Sequence, residues 1–332
     1  MQEYYIYNIT LPYSNICFRF RELKSKEQLI LSKTHTLLPT DKLNNLSYAS
    51  LLYDVISNCT ENKKDLKKIN FIDYILYVLK IRAYSCGESI TLEIKEGTEE
   101  DEEYEEELER SKPIRKSKII VSLNSFTQKL YEQSQNIIKE NIIETSGYKI
   151  FLSWPLIDSE QLFLEIVKNN NGLDAIIDTS GFYIDKIICD QTKTINFANL
   201  SPSERIKIFN KLPQFLQSKI YDKIYAINAE MGKIKLFGEQ KNWDSSINFY
   251  NGSYQNYLRI FLSENLRILH RKYFILASKR IDMNYIDNLS VGEREIYYNF
   301  ILEDHKKNEE QMEENNSQPF RSSIDLGLDE YN

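Results

Sequence analysis

Hydrophobic and polar positions alternate in short runs at the start of the chain. Tyr4, Ile6 and Leu11 mark one strand-like stretch, and Ile16 to Phe20 a second. Ser25 with Gln28 three residues later reads as a capping box for a helix through Leu29, Ile30 and Leu31. Residues 46–56 and 71–81 predict further helices. In the second, Phe71, Tyr74, Ile75, Val78 and Leu79 recur at helical spacing and are expected to face a core. Cys86-Gly87 punctuates the pattern, and Ile90, Leu92 and Ile94 then alternate as in a strand.

The middle of the chain is mixed. Residues 119–123 and 148–153 are strand candidates, the second ended by Trp154-Pro155, and residues 161–168 predict a short helix. Residues 182–189 and 194–197 read as a hairpin with Asp190 in its turn. From there the pattern turns helical. Ser201 caps, Pro202 suits the first helical position and Glu204 completes a capping box for a helix to Leu212. Pro213 opens the next helix, with Ile220, Ile224 and Ile227 as its apolar stripe. Gly238 and Asn251-Gly252 mark turns with Trp243 between them. Residues 254–279 carry the strongest long helical pattern, from Tyr257 and Phe261 to Leu269 and Tyr273. Ser290 and Glu293 form another capping box, after which Ile296, Phe300 and Ile301 are expected to share a packing face, with Arg294 and Glu295 left for polar contacts.

The expected fold is α+β, mainly helical, with small β-hairpins or sheets near the N-terminus and middle. Five regions follow: an α+β region at 1–95, an acidic excursion with a basic flank at 96–118, a mixed region at 119–200, a helical region at 201–314 and an exposed tail at 315–332. Phe320, Ile324 and Leu326 are the tail's candidate anchors.

Composition sharpens this in three places. The 332 residues include 23 Tyr and 16 Phe against 10 Gly and 7 Pro, which excludes collagen-like and Pro-rich disordered classes. Tyr joins a large apolar area to a polar hydroxyl and suits partly hydrated subunit interfaces, although a bias in base composition also enriches it. The net charge of −7 is concentrated: ten acidic and no basic residues lie between Glu96 and Glu109, and without them the chain is slightly basic. Such a run cannot form a core. It is expected as an excursion between paired strands or as a solvated helix, with Lys112, Arg115, Lys116 and Lys118 beside it. The cysteines, Cys17, Cys59, Cys86 and Cys189, form no closely spaced pair of the kind a structural zinc site uses. The start lacks a signal-peptide layout, and no uncharged run reaches the roughly 20 residues that span a bilayer, so no membrane insertion is expected.

Candidate chemistry is sparse. His35, His270 and His305 are far apart, and no metal, phosphate-loop, dinucleotide or nucleophile-elbow motif occurs. The expectation is no enzyme, no metal and no cofactor. Lys63, Lys64, Lys67 and Lys68 form the densest basic cluster of the first region, a weak nucleic-acid contact or an ordinary solvated surface.

Two segments at opposite ends carry a resemblance. Leu11-Pro12, the charged strand Phe18-Arg19-Phe20-Arg21-Glu22-Leu23, the helix start at Ser25 to Leu31 and the Ser85-Cys86-Gly87 turn resemble the phage T4-type baseplate hub and hub-assembly family, as do Leu289 to Tyr298 and the charged helix beyond. The acidic segment looks inserted relative to that pattern. The resemblance implies a noncatalytic subunit of a contractile-tail baseplate or central hub in the virion, made and assembled in the host cytoplasm. A transient hub-assembly chaperone and a DNA-associated tail protein are the alternatives. It implies other baseplate or tail proteins as partners in a multicopy assembly, with direct DNA binding open. Candidate protein contacts are then Arg19, Arg21, Glu22, Lys26 and Glu27 in the first segment, and Arg294, Glu295, Ile296 and Phe300 in the last.

Overall fold

The computed structural model describes residues 6–37, 42–96, 115–138, 141–145, 147–170, 172–189, 193–232 and 254–317. The architecture is α+β and mainly helical, with small antiparallel sheets. Strands β1 (Tyr7–Thr10) and β2 (Cys17–Phe20) pair with Tyr7 opposite Phe20. Alternation along β2 buries Phe18 and Phe20 and leaves Cys17 and Arg19 exposed. The turn between the strands places Asn15 at φ 53°, a left-handed conformation that Asn tolerates better than most residues. Helices α1 (Ser25–Leu37) and α2 (Lys42–Cys59) follow, then a short 3-10 turn at Lys63–Lys68 and α3 (Phe71–Cys86).

Helix α3 is the centre of the molecule. Phe71 through Leu79 are all buried, so the expected single core-facing stripe becomes a helix enclosed on every side. Its start holds the first turn of the chain in place. Asn70 caps the helix by accepting from the Asp73 amide at 2.9 Å, and the Asp73 carboxylate accepts from the amides of Tyr13 (3.1 Å) and Ser14 (2.7 Å). It ends at Gly87, φ 93°, whose amide returns to the Ala83 carbonyl. That is the punctuation read from Cys86-Gly87.

Strands β3 (Ser89–Glu96) and β4 (Arg115–Ser122) pair along their whole length, from Ser89 opposite Ser122 to Glu96 opposite Arg115. The acidic run after Glu96 lies outside the described residues but is bracketed by these paired strands. Helix α4 (Leu123–Ile138) packs Phe126 and Leu130 into the core. Strands β5 (Ile142–Thr145), β6 (Tyr148–Leu152), β7 (Ile184–Cys189) and β8 (Lys193–Asn196) form an antiparallel meander in sequence order. The β7–β8 hairpin matches the sequence expectation, and its Asp190 turn lies outside the described residues. Between β6 and β7 come α5 (Glu160–Asn169) and α6 (Gly172–Thr179), the latter not anticipated from the sequence.

Helices α7 (Pro202–Phe209) and α8 (Gln214–Gly232) begin where the Ser201 box and Pro213 predicted. Glu204 Oε2 accepts from the Ser201 amide at 2.8 Å. Arg205, fully buried, forks onto Asp158 at 2.7 and 2.9 Å and donates to the Phe197 carbonyl. Gly181 sits against this helix, where a Cβ would meet the Arg205 carbonyl oxygen at 3.1 Å. The turns at Gly238 and Asn251-Gly252, with Trp243, lie outside the described residues.

The long helix expected over residues 254–279 is two helices, α9 (Tyr254–Leu262) and α10 (Leu266–Ser278). Side chains satisfy the backbone at the break. Asn265 caps α10 by accepting from the Arg267 and Ile268 amides, Ser32 Oγ takes the Glu264 amide at 2.9 Å, and Arg82 Nε donates to the Phe261 carbonyl at 3.0 Å. Helices α11 (Met283–Asn288) and α12 (Val291–Ser317) complete the chain. Residues 315–317, expected to begin the tail, belong to α12; Phe320, Ile324 and Leu326 lie outside the described residues. One hydrophobic core runs from Leu11 to Val291, and a second small cluster gathers Leu269, Tyr273, Leu276 and Ile286.

Candidate functional site

The two segments singled out in the sequence are bonded to each other. The Val291 amide donates to the Leu23 carbonyl at 3.0 Å and the Ser25 amide to the Leu289 carbonyl at 2.9 Å, around a Lys24–Ser290 bridge. The extended residue before α1 thus lies beside the extended residue before α12, and both helices start from one two-stranded knot.

Caps lock the knot. Ser290 and Glu293 make the expected box: the Ser290 amide donates to Glu293 Oε2 at 2.8 Å and the Glu293 amide to Ser290 Oγ at 3.2 Å. At α1 the expected Ser25–Gln28 box is shifted by one residue. Glu27, not Gln28, reaches back, accepting from the Lys24 amide at 2.8 Å. The same carboxylate receives both Arg21 Nη atoms, at 2.8 and 2.9 Å, and the pair is buried. Gln28 is thereby freed to donate from Nε2 to Glu264 at 3.0 Å.

Four charges then close a ring at the root of α12. Lys272 Nζ lies 2.7 Å from Glu264 and 2.9 Å from Glu295, and Arg294 Nη2 lies 2.6 Å from Glu295 and 3.5 Å from Glu264. Arg294 is completely buried and faces the Tyr273 ring at 6.0 Å. Two cations and two carboxylates balance, which is what a buried ionic group requires. Burial pulls the Lys272 ammonium down, but its bonds to Glu264 and Glu295 outweigh that and leave its pKa raised. Burial pushes the Glu295 carboxyl up, and the bonds from Lys272 and Arg294 outweigh that in turn, leaving it lowered.

The candidate contact residues therefore divide. Arg21, Glu27 and Arg294 are internal. Glu22 is half-buried and accepts from the Tyr7 hydroxyl at 2.7 Å, a bond that, with burial, pushes the Tyr7 phenol up to about 12. Glu295 belongs to the ring. Lys26 is exposed, and Arg19 is exposed in an ion pair with Glu61. Ile296 and Phe300 are 54% and 59% exposed, so the apolar pair expected to pack points away from the body. The reason is helical phase. Val291, Arg294, Tyr298 and Ile301 form the docking face, and Ile296 and Phe300 lie on its opposite side. Tyr297 flanks them, its hydroxyl 3.3 Å from that of Tyr285. From Leu302 to Met312 every residue is exposed, so α12 stands clear of the body for roughly 16 Å at ~1.5 Å per residue.

The four lysines occupy the 3-10 turn. Lys68 pairs with Asp65 at 2.7 Å, Lys63 donates to Asn58, and Lys64 and Lys67 are exposed. Among the described residues no group of His, Cys, Asp and Glu is arranged to hold a metal. His35 is half-buried with its pKa lowered by burial and by Arg259; His270 and His305 are exposed. No helix described is long and apolar enough to cross a membrane. Sequence reasoning missed Gln28, Glu264 and Lys272 as members of the junction. Gln28 and Glu264 are 236 residues apart, and no local spacing links them.

A family model described as T4 bacteriophage base plate protein matches residues 4–235, well over half of the chain. No curated protein and no solved structure matches it. The knot's first half and the lysine turn lie within the matched residues; the ionic ring and α12 lie beyond them.

Proposed function

Because the chain belongs to the T4 bacteriophage base plate protein family, we propose that it is a noncatalytic structural subunit of a contractile-tail baseplate or its central hub. It would act through protein contacts and be retained in the virion. The observation that carries this reading is the build of α12. An ionic ring around the buried Arg294 and a backbone knot anchor its root, while its free side offers Ile296 and Phe300 beyond the body. Rigid presentation lowers the ordering cost of association. An exposed apolar pair flanked by Tyr297 on a mostly polar helix has the make-up of an interface anchor. Other tail proteins are the proposed partners. Repetition of the chain around a tail would multiply weak contacts through effective concentration.

Quantitative mass spectrometry of mature particles and of assembly intermediates tests the reading. Stoichiometric retention in mature particles is the expected result. Presence in intermediates alone would overturn the structural role in favour of a transient assembly chaperone.

A further inference from the structure

A cavity of about 150 Å³ opens between α2 and the start of α5. Leu46, Ala49 and Ile157 give it apolar walls, and Glu160 lines it as well. Glu160 is 4% exposed. Its Oε1 accepts from the Tyr254 hydroxyl at 2.8 Å and from Gln255 Nε2 at 2.6 Å, both on α9. Its Oε2 takes no hydrogen bond and no ion pair from the described residues, which leaves that oxygen to the cavity the residue lines. Asp158, the other carboxylate in the lining, is already matched by the Arg205 fork. Lys67 stands in the lining but is exposed and makes no ion pair with Glu160.

We propose that this cavity receives a primary ammonium on an alkyl stem, the chemistry of a lysine side chain, presented by a neighbouring subunit. The identity of the donor rests on the baseplate reading; the cavity's preference does not. Once ionised, a buried carboxylate with one free oxygen and no counter-charge among the described residues calls for a cation. An anion would repel Glu160, and a neutral apolar guest would leave it uncompensated. A hard divalent ion needs about six oxygen ligands, and one free carboxylate oxygen falls far short. The apolar walls suit methylene groups, as lysine stems lie on apolar surface with the charge at the tip. Cavities of about this size hold guests as large as benzene.

The test titrates n-butylammonium chloride into the full chain and follows thermal melting, with tetramethylammonium chloride and n-butanol as controls. The buffer is held above the Glu160 titration, which burial raises to about 7. A saturable rise in Tm with butylammonium alone is expected. Glu160→Gln should weaken apparent affinity by about tenfold or more. Ser50→Phe, at an exposed lining position, should block entry with the carboxylate intact and keeps the test open if Glu160→Gln folds poorly. An equal response to the controls, or binding that survives either substitution, overturns the site. Incorporation of Glu160→Gln protein into particles separates the two readings. Equal retention of wild type and variant overturns the lysine donor and leaves the baseplate role standing; selective loss of the variant supports the donor. If wild type itself is not retained, the baseplate role and the neighbouring-subunit donor both fail, and the butylammonium result judges the cavity alone.

Discussion

The carbonyl of Leu23 accepts a hydrogen bond from the amide of Val291 at 3.0 Å, joining residues near opposite ends of the chain. Next to that bond sits Arg294, the most enclosed charge of the junction. From the sequence, Arg294 is expected at polar contacts, and Ile296 and Phe300 on a face that packs internally or meets a partner. The structure buries Arg294 and exposes the apolar pair, and the difference can be measured.

Arg294→Ala should unsettle the fold. It removes the one completely buried charge of the ring and leaves the partly exposed Glu264 and Glu295 with Lys272 alone, so the ~3–5 kcal/mol cost of breaking a fully buried pair is an upper bound. Thermal melting should show a large drop in Tm. Arg19→Ala, which breaks the exposed pair with Glu61, should stay within about 1 kcal/mol of wild type. Similar small effects from both would contradict the internal role of Arg294.

Ile296→Ser with Phe300→Ser should leave melting and circular dichroism close to wild type, within about 0.5 kcal/mol per site, because both side chains are largely exposed. Capture of baseplate partners in a pull-down should fall sharply. Intact folding with undiminished capture would remove this face from the interface.

The junction and the Glu160 cavity respond to pH with opposite sign. The Glu295 pKa is lowered in the fold, so its contribution is present above the unfolded carboxylate range and is lost as pH falls through the lowered value. Glu160 is raised from 4.5 to about 7, so the fold holds a proton that the unfolded chain releases; stability falls as pH rises between those values and levels off above them. The full drop is on the order of 3 kcal/mol. Denaturant titrations of Glu160→Gln across that window should lack this slope. An unchanged slope would assign it to other groups.

For the lysine turn, neutralising Lys63, Lys64, Lys67 and Lys68 should abolish whatever salt-sensitive DNA binding the protein has at low salt. Lys68 and Lys63 already have protein partners, which leaves Lys64 and Lys67 as the available charges. Fluorescence anisotropy with duplex DNA decides the matter: no binding by wild type at low salt ends the DNA-associated alternative.

What was legible in the sequence was local. Ser201 to Glu204, Ser290 with Glu293, Cys86-Gly87 and the β7–β8 hairpin each act within a few residues, and each is where the pattern put it. Where the reading went astray, distant partners decided. The break between α9 and α10 depends on Ser32 and Arg82, and the shift of the α1 box on Arg21 competing for Glu27. The spacing of Ile296 and Phe300 reports that they share a face. It carries no information on whether that face looks inward, which is set by Arg294 and Val291 docking on the other side. Glu264, Lys272 and Glu160 gave no signal, because their significance arises from neighbours that only folding supplies.

The knot between residues 23–25 and 289–291 also imposes an order on biosynthesis. Chains generally begin to fold from the N-terminus as they are made. Here the Leu23 carbonyl stays without its Val291 partner until residue 291 has emerged, and the ring stays open until Arg294 and Glu295 follow. A nascent chain that stops short of that point cannot root the arm it would present. Emergence of residues 289–294 therefore gates the docking of α12, whatever has folded before them.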